Sequence, residues 1–247
     1  MYHVTVKDIA RRLNVAVSTV SRAFNDKGEI KKETRDLILK TAAEMGYQPN
    51  PIAKKLFQQR SFNVGVIIPE FTNSFFPDVI TGIQEVLFKE GYQVLIMQSN
   101  ESAANELENI KLLETNMVDG IIMSITSQTS NFDYLRKLND EGFPLVMFNR
   151  VADEVKASQV VFDDYKWAFF ATEHLIYQGY KKIFHFSGPG GLMFTLNRGN
   201  GFIEAHRKHK LPVSSDLVIE TGFMMADGER VMQQLIDAHN LPEAIFC

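Results

Sequence analysis

The sequence predicts an all-helical N-terminal segment followed by a larger α/β body, in a chain of 247 residues. In the first 60 residues, apolar side chains recur at helical spacing, as at Val6, Ile9 and Leu13. Beyond this segment, strand-sized apolar runs such as Val64–Pro69 alternate with amphipathic stretches. This alternation is typical of doubly wound parallel sheets with helices on both faces.

The N-terminal segment is predicted to form short helices. Thr5 and Asp8 have capping-box spacing at the start of the first. Gly46 stands where a glycine ends a helix. The polar stretch 58–63 is the predicted linker. We expect helices at about 5–13, 17–24, 32–45 and 52–57.

The body divides into two predicted subdomains, 63–162 and 163–247. In doubly wound sheets, ligands bind beyond the carboxyl ends of the strands. The chain stops in an apolar run that resembles the start of a buried strand, so we expect the second subdomain to be incomplete. We expect strands at 64–69, 93–98, 120–124, 144–148, 159–162, 182–187, 217–220 and 244–247, with helices between them, including one near 196–208.

Composition and charge narrow the class of protein. At 45% hydrophobic and 23% charged residues, the chain is ordinary for a globular protein. Its apolar runs are too short to cross a membrane, and its polar start does not resemble a secretory signal. The single cysteine, Cys247, fits a reducing cytoplasm. Residues 1–60 hold 12 Lys and Arg against 6 Asp and Glu, and the remainder 14 against 24, which favours a polyanion partner for the first segment.

A sequence motif in the first segment indicates which kind of polyanion this partner is. From Thr5 to Asn25 the chain reads T-V-K-D-I-A-R-R-L-N-V-A-V-S-T-V-S-R-A-F-N. This run closely resembles the headpiece of the lactose-repressor (LacI/GalR) family of bacterial regulators, and the likeness extends over the whole chain. The resemblance implies a helix-turn-helix headpiece at 1–57, with a hinge helix at 50–57. It also implies a body like the periplasmic binding proteins. Further matching motifs are Glu33–Arg35, Gly46–Asn50 and Ala53–Leu56.

The resemblance implies which headpiece residues contact DNA. Val17, Ser18 and Arg22 match base-reading positions on the second helix, and Arg22 can donate two hydrogen bonds to guanine. Polar side chains at other positions are expected to contact phosphates, with helix capping or plain surface as the alternative. These are Thr5, Thr19, Ser21, Asn25 and Tyr47.

The hinge helix is implied to pair with that of a second subunit in the minor groove. Its expected contacts are Asn50, Ala53 and Leu56, with Leu56 as a wedge between base pairs. So short a helix is marginal alone, so we expect it to order on DNA. The alternative is that Leu56 packs on the body. Ala16 and Lys31 depart from the family because they replace usual capping residues.

The resemblance also implies an effector site between the two subdomains. Phe76 could stack on a ligand ring or belong to the core. Asn149 and Arg150 could bind hydroxyls or simply complete a strand end, and Arg198 could grip the effector or form a surface ion pair. The expected effector residues are Ser74, Phe76, Asn149, Arg150, Arg198 and Phe223.

Other chemistry finds little support in the sequence. His206 and His209 lie three residues apart, but basic neighbours and the lack of an evident third ligand disfavour a metal. The Gly188–Gly191 run lacks the Gly-Lys-Ser/Thr of a phosphate loop. Neither a nucleophile motif nor a paired acid and base is evident. We therefore expect neither catalysis nor a cofactor.

The functional prediction is a cytoplasmic, homodimeric transcription regulator, more specifically a repressor. It would bind pseudo-palindromic operator DNA and respond to a sugar or sugar phosphate. Three alternatives remain open: a sugar-binding module without a DNA function, an α/β enzyme, and a non-functional fragment.

Overall fold

The structure, a computed structural model, describes residues 4–24, 30–47, 60–72 and 74–247. The chain forms two compact units, Met1–Arg60 and Ser61–Cys247. Within the described ranges, no helix is long and apolar enough to cross a membrane.

The first unit contains three helices among its described residues: α1 (Val6–Leu13), α2 (Val17–Phe24) and α3 (Lys32–Glu44). Each helix buries one apolar stripe against the other two, because its apolar residues recur every three or four positions. The resulting core is small and consists of Ile9, Ala10, Val20, Ala23, Ile38 and Ala42.

The second unit begins with a five-stranded parallel sheet in the order β2-β1-β3-β4-β5. Helices α4 (Phe75–Lys89), α5 (Ala103–Thr115) and α6 (Phe132–Asp140) connect the first four strands. The strands are β1 (Asn63–Ile68), β2 (Gln93–Gln98), β3 (Ile121–Met123), β4 (Leu145–Phe148) and β5 (Ser158–Val160).

The interior strand β1 shows why this sheet has helices on both faces. Successive side chains of a strand point to opposite faces, yet Val66, Ile67 and Ile68 are all fully buried. Val66 and Ile68 belong to one apolar cluster with Phe76, whereas Ile67 belongs to another with Ile110. A strand buried on both faces needs a helical layer on each, which is the doubly wound arrangement.

A second parallel sheet follows in the order β7-β6-β8, formed by β6 (Ile183–Ser187), β7 (Val218–Glu220) and β8 (Ala244–Phe246). Its helices are α7 (Asp164–Tyr177), α8 (Met193–Lys208) and α9 (Met225–Asp237), with a 3₁₀ turn at Ser215–Leu217. Gly201 lets α7 and α8 approach closely, because a Cβ there would lie 2.2 Å from the Tyr165 carbonyl oxygen. The order of both sheets places β1 in the interior of the first and β6 at the centre of the second, and parallel pairing brings the carboxyl ends of neighbouring strands to one edge.

The elements depart from the predicted bounds at several ends. The strand expected at 159–162 covers Ser158–Val160, and the exposed Val161 and Phe162 lie outside it. Helix α8 begins at Met193, three residues before the expected start. Turn chemistry near Gly191 gave no clear signal for that start, because Leu192 at the N-cap offers no side-chain acceptor.

Candidate functional site

The turn between α1 and α2 sets the position of the predicted base-reading helix. Asn14 takes a left-handed conformation with φ 51°, which its short polar side chain tolerates. The Val15 N–H then donates to the Ala10 carbonyl at 3.0 Å and closes the end of α1. Only two residues separate Asn14 from α2, as in a helix-turn-helix motif.

Helix α2 presents two different faces. Val20 and Ala23 are buried in the core, at 0% and 1% exposure. Val17, Ser18 and Arg22 are exposed on the outer side, where Ser18 and Arg22 lie one helical turn apart. A small polar face on a short helix is what a major groove can accommodate. The three predicted base-reading residues therefore share one accessible surface.

Arg35 on α3 supports α2 from behind, a role that the sequence did not indicate. Its Nε donates to the Ala23 carbonyl at 3.2 Å, near the end of α2. The last carbonyls of a helix lack internal donors, so a guanidinium there satisfies an acceptor and complements the helix dipole. Arg35 thus fixes the carboxyl end of the helix that carries Arg22.

The predicted phosphate-contacting residues have different environments. The backbone N–H and hydroxyl of Thr5 both donate to the Asp8 carboxylate, at 2.9 and 2.7 Å, so Thr5 has a capping role at α1. The Tyr47 ring packs on Phe24 with 5.1 Å between centroids, and burial raises the pKa of its phenol. Thr19 and Ser21 are half-buried on α2. Asn25 and the hinge residues Asn50, Ala53 and Leu56 lie outside the described residues.

In the second unit, a cavity of about 270 Å³ opens at the carboxyl edge of the β6–β7 sheet. Strand β6 and the loop after it, the start of α8, the loop after β7 with the start of α9, and Cys247 line it. This is the edge where parallel sheets bind ligands. Its principal lining residues are His185, Ser187, Gly188, Phe194, Thr195, Arg198, Thr221 and Phe223.

Two of the predicted effector residues, Arg198 and Phe223, line this cavity, and a third lies against it. The guanidinium carbon of Arg150 is 4.4 Å from the centroid of the Phe223 ring. On the other side of Phe223, the ring of Phe194 stacks on it with 5.9 Å between centroids, and the guanidinium carbon of Arg198 lies 4.9 Å from the Phe194 centroid. These four side chains form a stacked column beside the cavity. The structure therefore brings Arg150, at the end of β4 in the first sheet, together with residues of the second sheet.

The absence of a side chain at Gly188 leaves room for the Phe223 ring in this column. A Cβ at this position would lie 2.4 Å from Cε1 of Phe223 and 3.2 Å from Oγ1 of Thr195. A side chain on residue 188 would therefore displace the ring. Gly188 therefore allows the Phe223 ring to pack closely against the backbone.

The other predicted effector residues do not line this cavity. Ser74 is exposed at the start of α4, and Asn149 has φ 56° with its N–H bonded to the Val160 carbonyl at 3.0 Å. Neither lines the cavity. Phe76 is 1% exposed and packs against Phe148 in an apolar cluster, as in the core alternative, and its ring centroid lies 5.9 Å from the guanidinium carbon of Arg150.

Both arginines have carboxylate partners that the sequence did not pair. Arg150 Nη1 donates to Glu101 Oε1 at 2.6 Å, and Arg150 is only 4% exposed. Arg198 Nε donates to Asp164 Oδ1 at 2.8 Å. These pairs join residues 49 and 34 positions apart, so only the tertiary structure could reveal them.

His185 is a further residue that sequence reasoning overlooked. It lies in the middle of β6, is 1% exposed, and lines the cavity. Its Nδ1 donates to the Phe246 carbonyl at 3.1 Å. Burial lowers the pKa of the imidazole, so the ring is neutral and its Nε2 is an acceptor. A histidine within the apolar run I-F-H-F was the available signal.

The two histidines considered as a metal pair point to separate partners. The Nδ1 of His206 donates to the Phe202 carbonyl at 3.0 Å. The Nε2 of His209 donates to Glu173 at 2.7 Å. In the part of the chain that the structure describes, no group of three or more His, Cys, Asp or Glu residues is arranged to hold a metal ion.

A helix-turn-helix unit with an exposed polar recognition face, followed along the chain by a two-sheet body with a ligand cavity, defines the class of ligand-responsive DNA-binding regulators. Models of two protein families match. "Bacterial regulatory proteins, lacI family" matches residues 5–50, and "Periplasmic binding proteins and sugar binding domain of LacI family" matches residues 61–247. The chain belongs to the LacI family and is a DNA-binding transcription regulator.

Individual relatives agree with this assignment. The repressor CytR of Escherichia coli strain K12 is 31% identical over 245 residues, which are 98% of this chain and 71% of CytR. The ribose operon repressor of Halalkalibacterium halodurans is 29% identical over 242 residues, 98% of this chain and 70% of that protein. The crystal structure of the lac repressor dimer bound to operator and the anti-inducer ONPF matches in fold, with a TM-score of 0.79, 20% identity and coverage of 99% of this chain and 73% of that one.

Proposed function

We propose that this regulator is a repressor that binds a pseudo-palindromic operator as a homodimer, in the cytoplasm where bacterial DNA lies. The observation that carries the proposal is the outer face of α2, where Val17, Ser18 and Arg22 are exposed together on a rigid three-helix core. Arg22 would read a guanine, and Val17 would contact a thymine methyl group. The related CytR and the ribose operon protein are both named repressors, which supports repression rather than activation of transcription.

The phosphate-contacting set would fix the register of the headpiece on the duplex. Thr19 and Ser21 on α2 are the members best supported by their position, since both flank the outer face. Asn50, Ala53 and Leu56 would act in the minor groove once two subunits bring their hinge segments together.

A small-molecule effector, a sugar or a sugar phosphate, would bind at the cavity beside Arg198 and Phe223. The guanidinium of Arg150 contacts Phe223 from the first sheet, so a ligand in this cavity would alter the contact between the two sheets. Such a ligand would shift the population of two arrangements of the body and thereby couple to DNA binding. A regulator of this kind needs no turnover, and we expect the purified protein to leave its effector unchanged.

A gel-shift experiment tests the DNA-binding part. Purified protein is incubated with fragments from upstream of its own operon and with random DNA of equal length, at moderate salt. We expect a palindromic fragment to shift at a concentration at least about a thousandfold lower than random DNA. Equal affinity for both would refute sequence-specific regulation.

A further inference from the structure

Three groups beside the cavity that would attract an anion each contact a carboxylate of the chain. Arg150 is paired with Glu101 and Arg198 with Asp164, at 2.6 and 2.8 Å. The Gly-rich loop before α8 points its Gly190 N–H at Glu220 Oε2, at 3.3 Å. The cavity edge therefore offers no uncompensated positive charge among these three groups.

These carboxylates are held in place by further contacts. Glu101 Oε2 also accepts from the backbone N–H and the hydroxyl of Ser127, at 2.9 and 3.1 Å. Asp164 is buried at the start of α7, with 7% exposure. A phosphate dianion brought to either arginine would meet a fixed negative charge within a few ångströms, and like charges so placed oppose binding.

Besides the guanidinium of Arg198, which is paired with Asp164, the cavity presents neutral polar atoms to a ligand. Within the described residues, His185 Nε2 and Thr195 Oγ1 are buried without a hydrogen-bond partner. Both residues line the cavity, at 1% and 4% exposure. Buried polar atoms in proteins are nearly always satisfied, so an unpartnered pair facing a cavity indicates a ligand group. Because His185 Nδ1 donates to Phe246, its Nε2 can accept a hydrogen bond from a ligand hydroxyl or N–H.

We infer that this cavity binds an uncharged, hydroxyl-bearing molecule such as a free sugar or a nucleoside, and that it discriminates against the phosphorylated form. His185 accepts a ligand hydroxyl or N–H at the floor, Thr195 adds a second hydrogen bond, and Phe194 and Phe223 cover the apolar part of the ligand. This inference rests on the effector cavity of the proposed function and narrows its ligand class.

Calorimetric titration of the full chain with matched pairs tests the inference. The pairs are ribose and ribose 5-phosphate, fructose and fructose 1-phosphate, and adenosine and adenosine monophosphate. We expect at least one neutral member to bind, with its phosphorylated partner weaker by about tenfold or more, as expected for a like-charge contact. Tighter binding of a phosphorylated member than of its neutral partner would overturn the inference, and so would failure of every neutral member to bind.

A charge-removing variant separates repulsion from steric exclusion. Glu220→Gln keeps the size of the side chain and removes the charge beside Gly190. We expect it to narrow the neutral-to-phosphate affinity ratio several-fold, whereas Glu229→Gln, exposed on α9, leaves the ratio as in the parent. An unchanged ratio in Glu220→Gln would contradict the electrostatic argument.

Gel shifts on the same preparations, without added ligand, keep this inference distinct from the proposed function. Loss of specific operator binding would count against the regulator. The ratio of neutral-ligand to phosphorylated-ligand affinity is measured without DNA. Only a reversed ratio, or failure of every neutral ligand to bind, therefore counts against the inferred ligand class.

Discussion

The guanidinium of Arg150, at the end of β4, lies over the ring of Phe223, in the loop after β7, with 4.4 Å between Cζ and the ring centroid. Its Nη1 is also bonded to Glu101. One side chain thus joins the carboxyl edges of the two sheets, and it does so inside the body at 4% exposure. A cation held against an aromatic ring with little water around it is a strong version of this contact.

Replacing Arg150 with methionine should destabilise the body. The change leaves Glu101 without its cation and removes the contact with Phe223, and we expect a loss of about 2–3 kcal/mol in the free energy of unfolding. The matched control is Arg136→Met, because Arg136 pairs with Asp133 on the surface of α6 and should contribute less than about 1 kcal/mol. Urea unfolding followed by fluorescence of Trp167, the single tryptophan, reports on this unit. Equal shifts for the two variants would argue against a special role for Arg150.

Gly201→Ala should loosen the contact between α7 and α8. The new Cβ would lie 2.2 Å from the Tyr165 carbonyl and 3.0 Å from the Phe169 nitrogen, so the helices must separate. We expect a destabilisation of about 1–3 kcal/mol. Gly199→Ala is the control on the same helix, since nothing lies within 4 Å of its Cβ, and it should stabilise the helix by about 0.5–1 kcal/mol. Thermal unfolding of both variants measures these stability changes. A Tm for Gly201→Ala at or above the parent value would disprove the close-packing argument.

Arg22→Ala should change which operator bases the protein selects. Loss of a bidentate contact to guanine should cost about 1–3 kcal/mol per half-site and relax one base position. Selection from a randomised DNA pool, performed with the parent and the variant, reads out that position directly. Lys40→Ala, exposed on α3, is a control for the loss of one positive charge. An identical selected sequence for Arg22→Ala would remove Arg22 from the base-reading set.

The capping interaction at α1 predicts a pH dependence for the headpiece. The hydrogen bonds from the Thr5 hydroxyl and N–H hold the pKa of Asp8 below its ordinary value. A carboxyl whose folded-state pKa is depressed stabilises the fold above its unfolded pKa of about 3.9, and this stabilisation is lost as pH falls through the folded-state value.

Asp8→Asn should therefore open α1 more often at pH 7, while the difference from the parent should shrink as the pH falls below about 3.9. Hydrogen–deuterium exchange of the α1 amides, read by mass spectrometry, measures this opening. Asp36→Asn, exposed on α3, is the control for a general charge effect. A pH-independent difference in α1 would rule out the ionised carboxylate as the stabilising species.

Much of the fold could be predicted because it depends on local periodicity. The spacing of Val6, Ile9 and Leu13 predicted α1, and the capping pair Thr5 and Asp8 predicted its start. The run around Val66 predicted a strand buried on both faces. Helix α8 was predicted three residues too short, because Leu192 at its N-cap carries no capping signal.

The candidate sites divide in the same way. The base-reading role of Val17, Ser18 and Arg22 was predicted from the resemblance to the LacI family, and the local helical repeat places all three on the outer side of α2. Long-range pairing decided the rest. Arg150 meets Glu101 and Phe223, and Arg198 meets Asp164, only because parallel strands bring their carboxyl ends to one edge. Side-chain type predicts what a residue can bond, but its partner is set by packing, and packing also placed Phe76 in the core and His185 at the floor of the cavity.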